Sequence, residues 1–352
     1  MAYTFRDLEK HLGRVPSDVI RNIGPIEAGR GRQDLYKRQS PAILKTLTEV
    51  ARIQSTEASN AIEGITAPPK RIEELVADRT TPRDRSEAEI AGYRSVLDTI
   101  HSSAPNIPFT ENVIKQFHGN LYQFTSVRAG RYKIGPNQVE ETHPDGTVVV
   151  VFEPVSVGET PAMMDELFTR FDDAWNAQQH HRLFLLGAWV FDFLMIHPFQ
   201  DGNGRMARLL TLLLHYHAGY EVGRFVSLEK LIDDSRQTYY DSLKASTGGW
   251  HDGEHNIWPW LNYLTGVVVA AYKEFEDRVG AASVRGGKKD LVLAFVRSTV
   301  QDSFAFEDVR DNAPGVSDVY IGNILRELRD AGAVRPTGRG RGARWEILHR
   351  NF

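Results

Sequence analysis

The segment HPFQDGNGRMAR, residues 197–208, joins two apolar helical patterns and concentrates residue types that bind phosphate. Pro198 ends the first helix, because proline cannot continue it. The glycines on either side of Asn203 leave backbone N–H groups unshielded at the start of the next helix, where the helix dipole also favours an anion. The segment therefore predicts a cradle for a phosphate group.

The charged residues of this loop indicate what would happen to that phosphate. Arg205 and Arg208 are three residues apart, so we expect both on one face of the first helical turn, each offering a planar fork to phosphate oxygens. Asp201 is the kind of carboxylate that holds Mg²⁺ between phosphates. His197 is the nearby base that can accept a proton near neutral pH.

Together these residues predict attack by a hydroxyl on a nucleotide phosphate. The GxxxxGK[ST] pattern of a P-loop is absent, so the cradle is of another kind. The alternative is a tight turn between two helices, in which asparagine and glycine serve only the turn. That alternative explains the glycines but leaves the histidine, the aspartate and the two arginines unexplained.

Helical periodicity dominates the rest of the chain and predicts an all-α core. Ser40 as N-cap, Pro41 at the first helical position and Gly64 as the stop bound one long helix over 41–63. The apolar helix that runs into the loop is predicted at 180–196. Further helices are expected at 70–78, 84–103, 110–123, 162–177, 204–218, 227–246 and 256–279. An exception is 128–153, where Asp145-Gly146 and the β-branched run 148–152 predict a hairpin.

The C-terminal part follows a different order. Small residues at 280–288 predict a linker, followed by helices at 289–300, 306–310 and 316–331 and two extended pieces around a Gly/Arg-rich loop, an order typical of a winged helix. Residues 333–352 form a basic tip with one acidic residue, Glu346. Its arginines are Arg335, Arg339, Arg341, Arg344 and Arg350. It could bind an anion such as DNA, form part of a protein-docking or dimerisation module, or be an ordinary solvated surface.

Composition limits the class of protein. The chain has 352 residues, 41% hydrophobic and 25% charged, which is ordinary for a soluble globular protein. It has no cysteine, which excludes disulfides and thiolate metal sites, and the net charge of −4 opposes a chain wholly dedicated to nucleic acid. Neither a signal peptide nor a membrane-spanning run is visible, so we expect a cytoplasmic protein without membrane contact.

The loop matches the signature HxFx[DE]GNGRxxR at every specified position, and the chain is identified by it as a member of the Fic family. The resemblance implies an all-helical core with a β-hairpin flap, ATP as co-substrate with Mg²⁺ or Mn²⁺, and transfer of AMP to a Ser, Thr or Tyr hydroxyl of a target protein. It also implies that His197 is the base and that Phe199 anchors the loop. Asp201 would hold the metal. The remaining motif positions would bind phosphate: Gly202, Asn203 and Gly204 as the anion hole, and Arg205 and Arg208 on the β and γ phosphates.

A second resemblance lies at the end of the first long helix. The sequence SNAIEG, with Ser59 and Glu63, is similar to the family's inhibitory motif [ST]xxxE[GN]. A glutamate paired with Arg208 would occupy the arginine meant for the γ-phosphate and hold activity down. In some relatives the same glutamate supports removal of AMP, and the residues alone leave that choice open. Without the loop, the segment would be an ordinary helix end.

The resemblance also implies a place for the partners. Residues 130–153 resemble the flap that pairs with an extended segment of the target protein, and Tyr240 beside Tyr239 resembles the adenine-side element. The expected domains are an N-terminal helical region over 1–105, a Fic domain over 106–279, the linker 280–288 and the winged helix 289–352. Self-modification and a homodimer stay open. The alternatives are a nucleotide-sensing DNA-binding regulator that acts through 289–352 and a Fic-like phosphotransferase.

Overall fold

The computed structural model describes residues 3–39, 41–142, 147–285, 288–299, 302–313, 316–338 and 344–350. The chain forms two compact units: residues 1–34 with 47–274, and residues 35–46 with 275–352. Helices make up most of both units, which confirms the all-α class with few, small strands. Among the described residues, no helix combines the length and the apolar character that a membrane span requires.

The N-terminal helices begin where short-range hydrogen bonds can cap them. Asp84 accepts the N–H of Glu87 at the start of α5, and Thr110 accepts the N–H of Val113 at the start of α6. Ser40, the predicted cap of the long helix, lies outside the described residues. The elements are α1 Leu8–Leu12, α2 Ser17–Gln39, α3 Pro41–Ile62, α4 Pro69–Val76, α5 Arg85–Ser103 and α6 Glu111–Leu121.

Helix α2 was not recognised in the sequence because three glycines and Pro25 lower its intrinsic helix propensity. Its buried positions Val19, Ile26 and Gln33 repeat every seven residues, so the helix forms where one stripe packs against the core. Tertiary packing thus overrides local propensity in this segment.

A hairpin interrupts the helices, as predicted. Strands β1 Val139–Thr142 and β2 Val148–Phe152 pair antiparallel, with Val139 opposite Phe152 and Thr142 opposite Val148. The predicted Asp145-Gly146 turn lies outside the described residues. Val148 and its two successors on β2 are exposed, so the β-branched run that suggested the hairpin does not belong to the core.

The central helices surround α8, whose residues from Leu183 to Ile196 are all buried. One helix predicted over 227–246 was wrong: two helices meet at Ser235, whose backbone angles (φ −116°, ψ 29°) leave the helical region. The predicted linker was also wrong over 280–285, where α12 continues; Ala281 and Ala282 favour a helix as readily as a flexible segment. The elements are α7 Thr160–Ala177, α8 Arg182–Ile196, α9 Asn203–His217, α10 Leu228–Asp234, α11 Arg236–Thr247 and α12 Trp258–Arg285.

The C-terminal elements enclose a hydrophobic core of their own, built around Val296, Phe304, Ile321 and Leu325. A helix, a strand, two helices and two strands follow one another; the prediction had the three helices and the last two extended pieces but not the first strand. They are α13 Lys288–Ser298, β3 Ser303–Ala305, α14 Phe306–Asn312, α15 Asp318–Asp330, β4 Val334–Thr337 and β5 Arg344–Ile347. The strands form an antiparallel sheet in the order β3-β5-β4.

The basic tip predicted at this end is partly neutralised. Arg335 forms an ion pair with Glu346, and Arg344 donates to the Ser303 carbonyl. Arg339 and Arg341 lie outside the described residues. The described part of the tip therefore offers fewer free cations than the sequence suggested.

Candidate active site

The catalytic candidate His197 sits at the end of α8 in the left-handed conformation (φ 49°, ψ 61°). Its N–H donates to the Phe193 carbonyl, and its ring Nδ1 lies 3.1 Å from the Leu194 carbonyl. A carbonyl can only accept, so Nδ1 carries the proton and Nε2 is left as the basic nitrogen. Burial lowers the pKa of His197 to about 4, which keeps the ring neutral at pH 7.

Phe199 and Asn203 close the loop behind His197. The Asn203 side chain accepts the Phe199 N–H at 2.9 Å and donates to the Phe199 carbonyl at 2.8 Å. The Phe199 ring is fully buried and stacks on His118 with 3.8 Å between ring centroids. Phe199 thus occupies the anchoring position that the resemblance implies, while the Asn203 amide is used within the loop itself.

His118 of α6 is a positioning residue that the sequence did not reveal. Its Nδ1 accepts the N–H of Gly130, so Nε2 carries the proton and donates to the Asp201 carbonyl at 3.0 Å. Burial lowers the pKa of His118 to about 4, which is consistent with a neutral ring that donates on one side and accepts on the other. A single histidine on an amphipathic helix carries no pattern that would have signalled this role.

Lys133 and Asn137 fasten the start of the flap to the same loop, and both were missed. The Lys133 N–H donates to the Pro198 carbonyl at 2.8 Å, and its Nζ donates to Asn137 Oδ1 at 2.8 Å. The Asn137 amide donates in turn to the carbonyls of His197, at 3.1 Å, and Phe199, at 2.8 Å. Burial lowers the pKa of Lys133 to about 8.

Gly202 and Gly204 leave the start of α9 without side chains that would cover its backbone. Gly202 has φ 80°, and a Cβ there would also lie 2.9 Å from the Tyr122 hydroxyl. A Cβ at Gly204 would overlap the Glu63 carboxylate, far inside van der Waals contact. The two glycines therefore leave room beside the helix N-terminus at Asn203, where the sequence predicts a phosphate.

Arg208 is held by the two residues of the predicted inhibitory motif. Its Nε donates to the Ser59 hydroxyl at 2.8 Å, and its Nη2 donates to the Ser59 carbonyl at 2.8 Å and to Glu63 Oε1 at 2.7 Å. Glu63 follows the last helical residue of α3, and its side chain is 33% exposed. The structure thus brings together three residues that are far apart in the chain, in the contact that the sequence predicted.

Arg205 is bound to protein partners in this structure, whereas the sequence predicted it as a second phosphate ligand beside Arg208. Its side chain is 1% exposed, with Nη1 2.7 Å from Glu89 Oε2 and Nη2 donating to the Tyr122 hydroxyl at 2.8 Å. Glu89 lies on α5 and Tyr122 directly follows the end of α6, and no spacing along the chain could identify them. In this structure the guanidinium of Arg205 is used inside the core.

Asp201 lies at the mouth of the cradle, with a side chain that is 61% exposed. Oδ1 accepts the Gly202 N–H at 2.6 Å, and Oδ2 lies 3.9 Å from a guanidinium nitrogen of Arg85. Among the described residues no group of three or more histidines, cysteines or carboxylates could hold a metal. One open carboxylate suits Mg²⁺ only where phosphate oxygens and water complete its shell, as that ion prefers.

Tyr240 on α11 stands partly exposed beside the buried ring of Tyr239, with 5.1 Å between the ring centroids. Burial and then the negative charge of Glu63 raise the pKa of Tyr240, which places its hydroxyl in the electrostatic field of the Glu63–Arg208 pair. An open aromatic face at this position has the chemistry that a purine base needs.

Comparisons with known proteins agree with the family that the loop sequence indicates. Residues 108–215 match the model of the Fic/DOC family. A curated relative, a protein adenylyltransferase Fic of Culex quinquefasciatus, is 35% identical over 92 residues. That match covers 25% of this chain and only 17% of the relative's length, so the chain spans about a sixth of that protein.

Solved structures show the same fold at low sequence identity. A Fic family protein from Desulfovibrio desulfuricans superposes with a TM-score of 0.62 and 20% identity, over 95% of this chain and 97% of that one. A Fic domain containing signaling protein from Bacteroides thetaiotaomicron gives a TM-score of 0.58 and 21% identity, over 75% of this chain and 98% of that one. The likeness in fold therefore extends beyond the residues that the family model matches.

Proposed function

Because this chain is a Fic family protein, with a Fic-type transferase domain, we propose that it transfers AMP from ATP to a Ser, Thr or Tyr hydroxyl of a target protein. The observation that carries the proposal is the state of His197. Its Nδ1 is committed to the Leu194 carbonyl and its pKa lies well below neutral, so Nε2 is a free base next to a helix N-terminus.

The proposed reaction is an in-line displacement at the α-phosphorus of ATP. The target hydroxyl loses its proton to Nε2 of His197 as its oxygen bonds to phosphorus, and the bond to the β-phosphate oxygen breaks to release pyrophosphate. The N–H groups at the start of α9 and the guanidinium of Arg208 would bind the phosphates. When bound, Mg²⁺ or Mn²⁺ held by Asp201 would supply charge neutralisation for the phosphate chain.

Glu63 supports the proposal that the enzyme is autoinhibited. Its carboxylate occupies the outer side of the Arg208 guanidinium and the space above Gly204, where a phosphate of ATP would have to lie. A triphosphate can bind productively only after that contact opens. Glu63 could instead position water for removal of AMP, and the experiment below separates the two roles.

We propose that the two substrates bind on different sides of the loop. Tyr240 would cover the adenine, and the flap would pair with an extended segment of the target protein, because Lys133 and Asn137 fix the flap directly to the loop. Self-modification would use the same hydroxyl chemistry on a residue of this chain.

The test uses purified protein with ATP labelled separately on the α and γ phosphates, comparing wild type, Glu63→Gly and His197→Ala. Labelling from the α-phosphate is expected, raised by Glu63→Gly and absent in His197→Ala. Glu57→Gln is a matched control, since Glu57 is an exposed glutamate on α3. Incorporation of γ label instead would show a phosphotransferase, and loss of bound AMP from labelled protein in wild type alone would assign Glu63 to the reverse reaction.

A further inference from the structure

A cavity of about 310 Å³ opens where the flap ends, and we name it the flap-root cavity. Its floor is apolar and buried, formed by Val155, Met163 and Trp250. Glu153 and Glu159 are exposed on its rim. The complete lining is Glu153, Pro154, Val155, Ser156, Glu159, Met163, Trp250 and His251.

The walls of this cavity are fixed by long-range contacts. The Trp250 indole donates to Asp192 Oδ1 on α8 at 2.8 Å. His251 Nε2 donates to the Glu153 carbonyl at 2.9 Å, and the His251 ring stacks on Phe152 with 5.2 Å between centroids. The cavity is therefore preformed and continuous with strand β2, whose last residue is Phe152.

The cavity lies close to the proposed reaction centre. Asp192 precedes His197 by five residues on α8, a rise of about 7.5 Å. On the flap, Phe152 pairs with Val139, two residues after the Asn137 that donates to the His197 carbonyl. An extended peptide rises about 3.3 Å per residue, so a segment of up to about four residues, about 13 Å long, is long enough to connect the hydroxyl at His197 with a side chain in the cavity.

The charge of the rim selects the occupant. Among the described residues, neither Glu153 nor Glu159 forms an ion pair with a lysine, arginine or histidine side chain. The Glu159 carboxylate accepts the Ser156 hydroxyl at 2.7 Å. Two carboxylates above an apolar floor complement a side chain with an aliphatic stem and a cationic head. Lysine and arginine have that form, whereas acidic side chains would be repelled.

We propose that the flap-root cavity is a specificity subsite for a lysine or arginine of the target protein, within about four residues of the modified hydroxyl. This inference rests on the proposed AMP transfer for its biological meaning, but the binding of a basic peptide does not depend on that reaction. Basic segments next to a hydroxyl would be preferred, and acidic segments would be excluded.

The first experiment measures labelling with α-labelled ATP by the Glu63→Gly enzyme. The substrates are threonine-centred and tyrosine-centred decapeptides that carry lysine, norleucine or glutamate at one position within four residues of the hydroxyl. Lysine at one such position is expected to give about a tenfold higher kcat/KM than norleucine, the ratio that a partly desolvated ion pair can supply. In Glu153→Gln/Glu159→Gln the ratio should fall to about one, whereas Asp173→Asn, which removes a charge from α7 outside the cavity, should retain it.

The second experiment measures binding of the same fluorescein-labelled lysine and norleucine decapeptides by anisotropy, without ATP. Stronger binding of the lysine peptide that is lost in the double variant supports the subsite even if no AMP is transferred, so a failure of the proposed reaction can be distinguished. Equal binding of both peptides by wild type, or a lysine preference that survives in the double variant, overturns the subsite.

Discussion

Two arginines three residues apart on α9 each pair with one glutamate from a distant part of the chain, and the two pairs lie in different surroundings. The side chains of Arg205 and Glu89 are 1% and 3% exposed, whereas those of Arg208 and Glu63 are 3% and 33% exposed. Glu89 lies within α5, and Glu63 lies past the last residue of α3, where the chain turns through Gly64.

The difference shows how one kind of contact can serve two purposes. Removing Glu89 would leave a guanidinium buried without its counter-charge, which costs far more than removing both charges together. Glu63 can turn toward water with little desolvation penalty, and an incoming phosphate can take its place on Arg208. We therefore regard the first pair as structural and the second as replaceable.

The largest expected effect comes from the structural pair. Glu89→Ala should lower the free energy of unfolding by about 3–5 kcal/mol, because Arg205 is then buried and unpaired. Urea denaturation followed by circular dichroism measures this change. The control is Arg85→Gln, which removes the other, exposed partner of Glu89 and should cost about 1 kcal/mol or less.

If Glu89→Ala fails to fold, the pair can still be tested with Glu89→Leu combined with Arg205→Met. Replacing both charges by apolar groups of similar size should recover much of the stability, since no unpaired charge remains. A Glu89→Ala protein as stable as Arg85→Gln would remove the contrast between the two arginines.

A substitution in the replaceable pair, Glu63 and Arg208, should change activity more than stability. Glu63→Gln keeps the shape of the side chain but removes its charge, so the side chain competes less with a phosphate of ATP for Arg208. We expect α-label incorporation to rise about tenfold for each 1.4 kcal/mol by which the Glu63–Arg208 contact is weakened. The free energy of unfolding should change by less than in Glu89→Ala, because Glu63 is a third exposed and the hydroxyl and carbonyl of Ser59 still accept hydrogen bonds from Arg208. An unchanged rate together with a large loss of stability would assign Glu63 to the structural class.

These two pairs also show what the sequence can and cannot predict. The motif predicted that His197, Asp201 and Arg208 belong to one site. The six-residue segment that begins at Ser59 predicted the contact between Glu63 and Arg208. The contacts of Arg205 could not be predicted, because its partners Glu89 and Tyr122 come from distant parts of the chain and no local pattern marks them.

The same limit applies to His118, Lys133 and Asn137, which hold the loop through backbone carbonyls. Periodicity found α8 and α9 but joined α10 to α11, since the break at Ser235 depends on hydrogen bonds of that one side chain with the Leu231 carbonyl and Tyr263. Elements that carry a repeated apolar stripe were predictable, and contacts between elements were not.

A smaller effect is expected from Ser59, which shares Arg208 with Glu63. Ser59→Ala removes the hydrogen bond to Nε and leaves the one to the Ser59 carbonyl, a change of about 1 kcal/mol. Loosening the arginine should raise α-label incorporation about threefold to fivefold, less than Glu63→Gln. Ser102→Ala, at an exposed hydroxyl on α5, is the control. A Ser59→Ala rate above that of Glu63→Gln would make the hydroxyl, not the carboxylate, the main restraint.

The smallest effect concerns pH once the charge of Glu63 has been removed. Since burial lowers the pKa of His197 to about 4, the base form persists above that value and is lost as the pH falls through it. In the Glu63→Gln enzyme, the titration of His197 should therefore change kcat/KM by less than about twofold between pH 6 and 8. An acid limb with a midpoint near 6.5, the usual value for histidine, would show that His197 is not buried in the active form.

The contact between Glu63 and Gly204 has a consequence for how this enzyme can vary. The absence of a side chain at Gly204 leaves a space that the Glu63 carboxylate occupies and that a phosphate would occupy in the proposed reaction. A mutation that fills this space would displace both anions at once, so it cannot give a permanently active enzyme. Mutations that free the enzyme and preserve its activity are therefore expected in α3 and the residue that follows it, and the glycine should tolerate none.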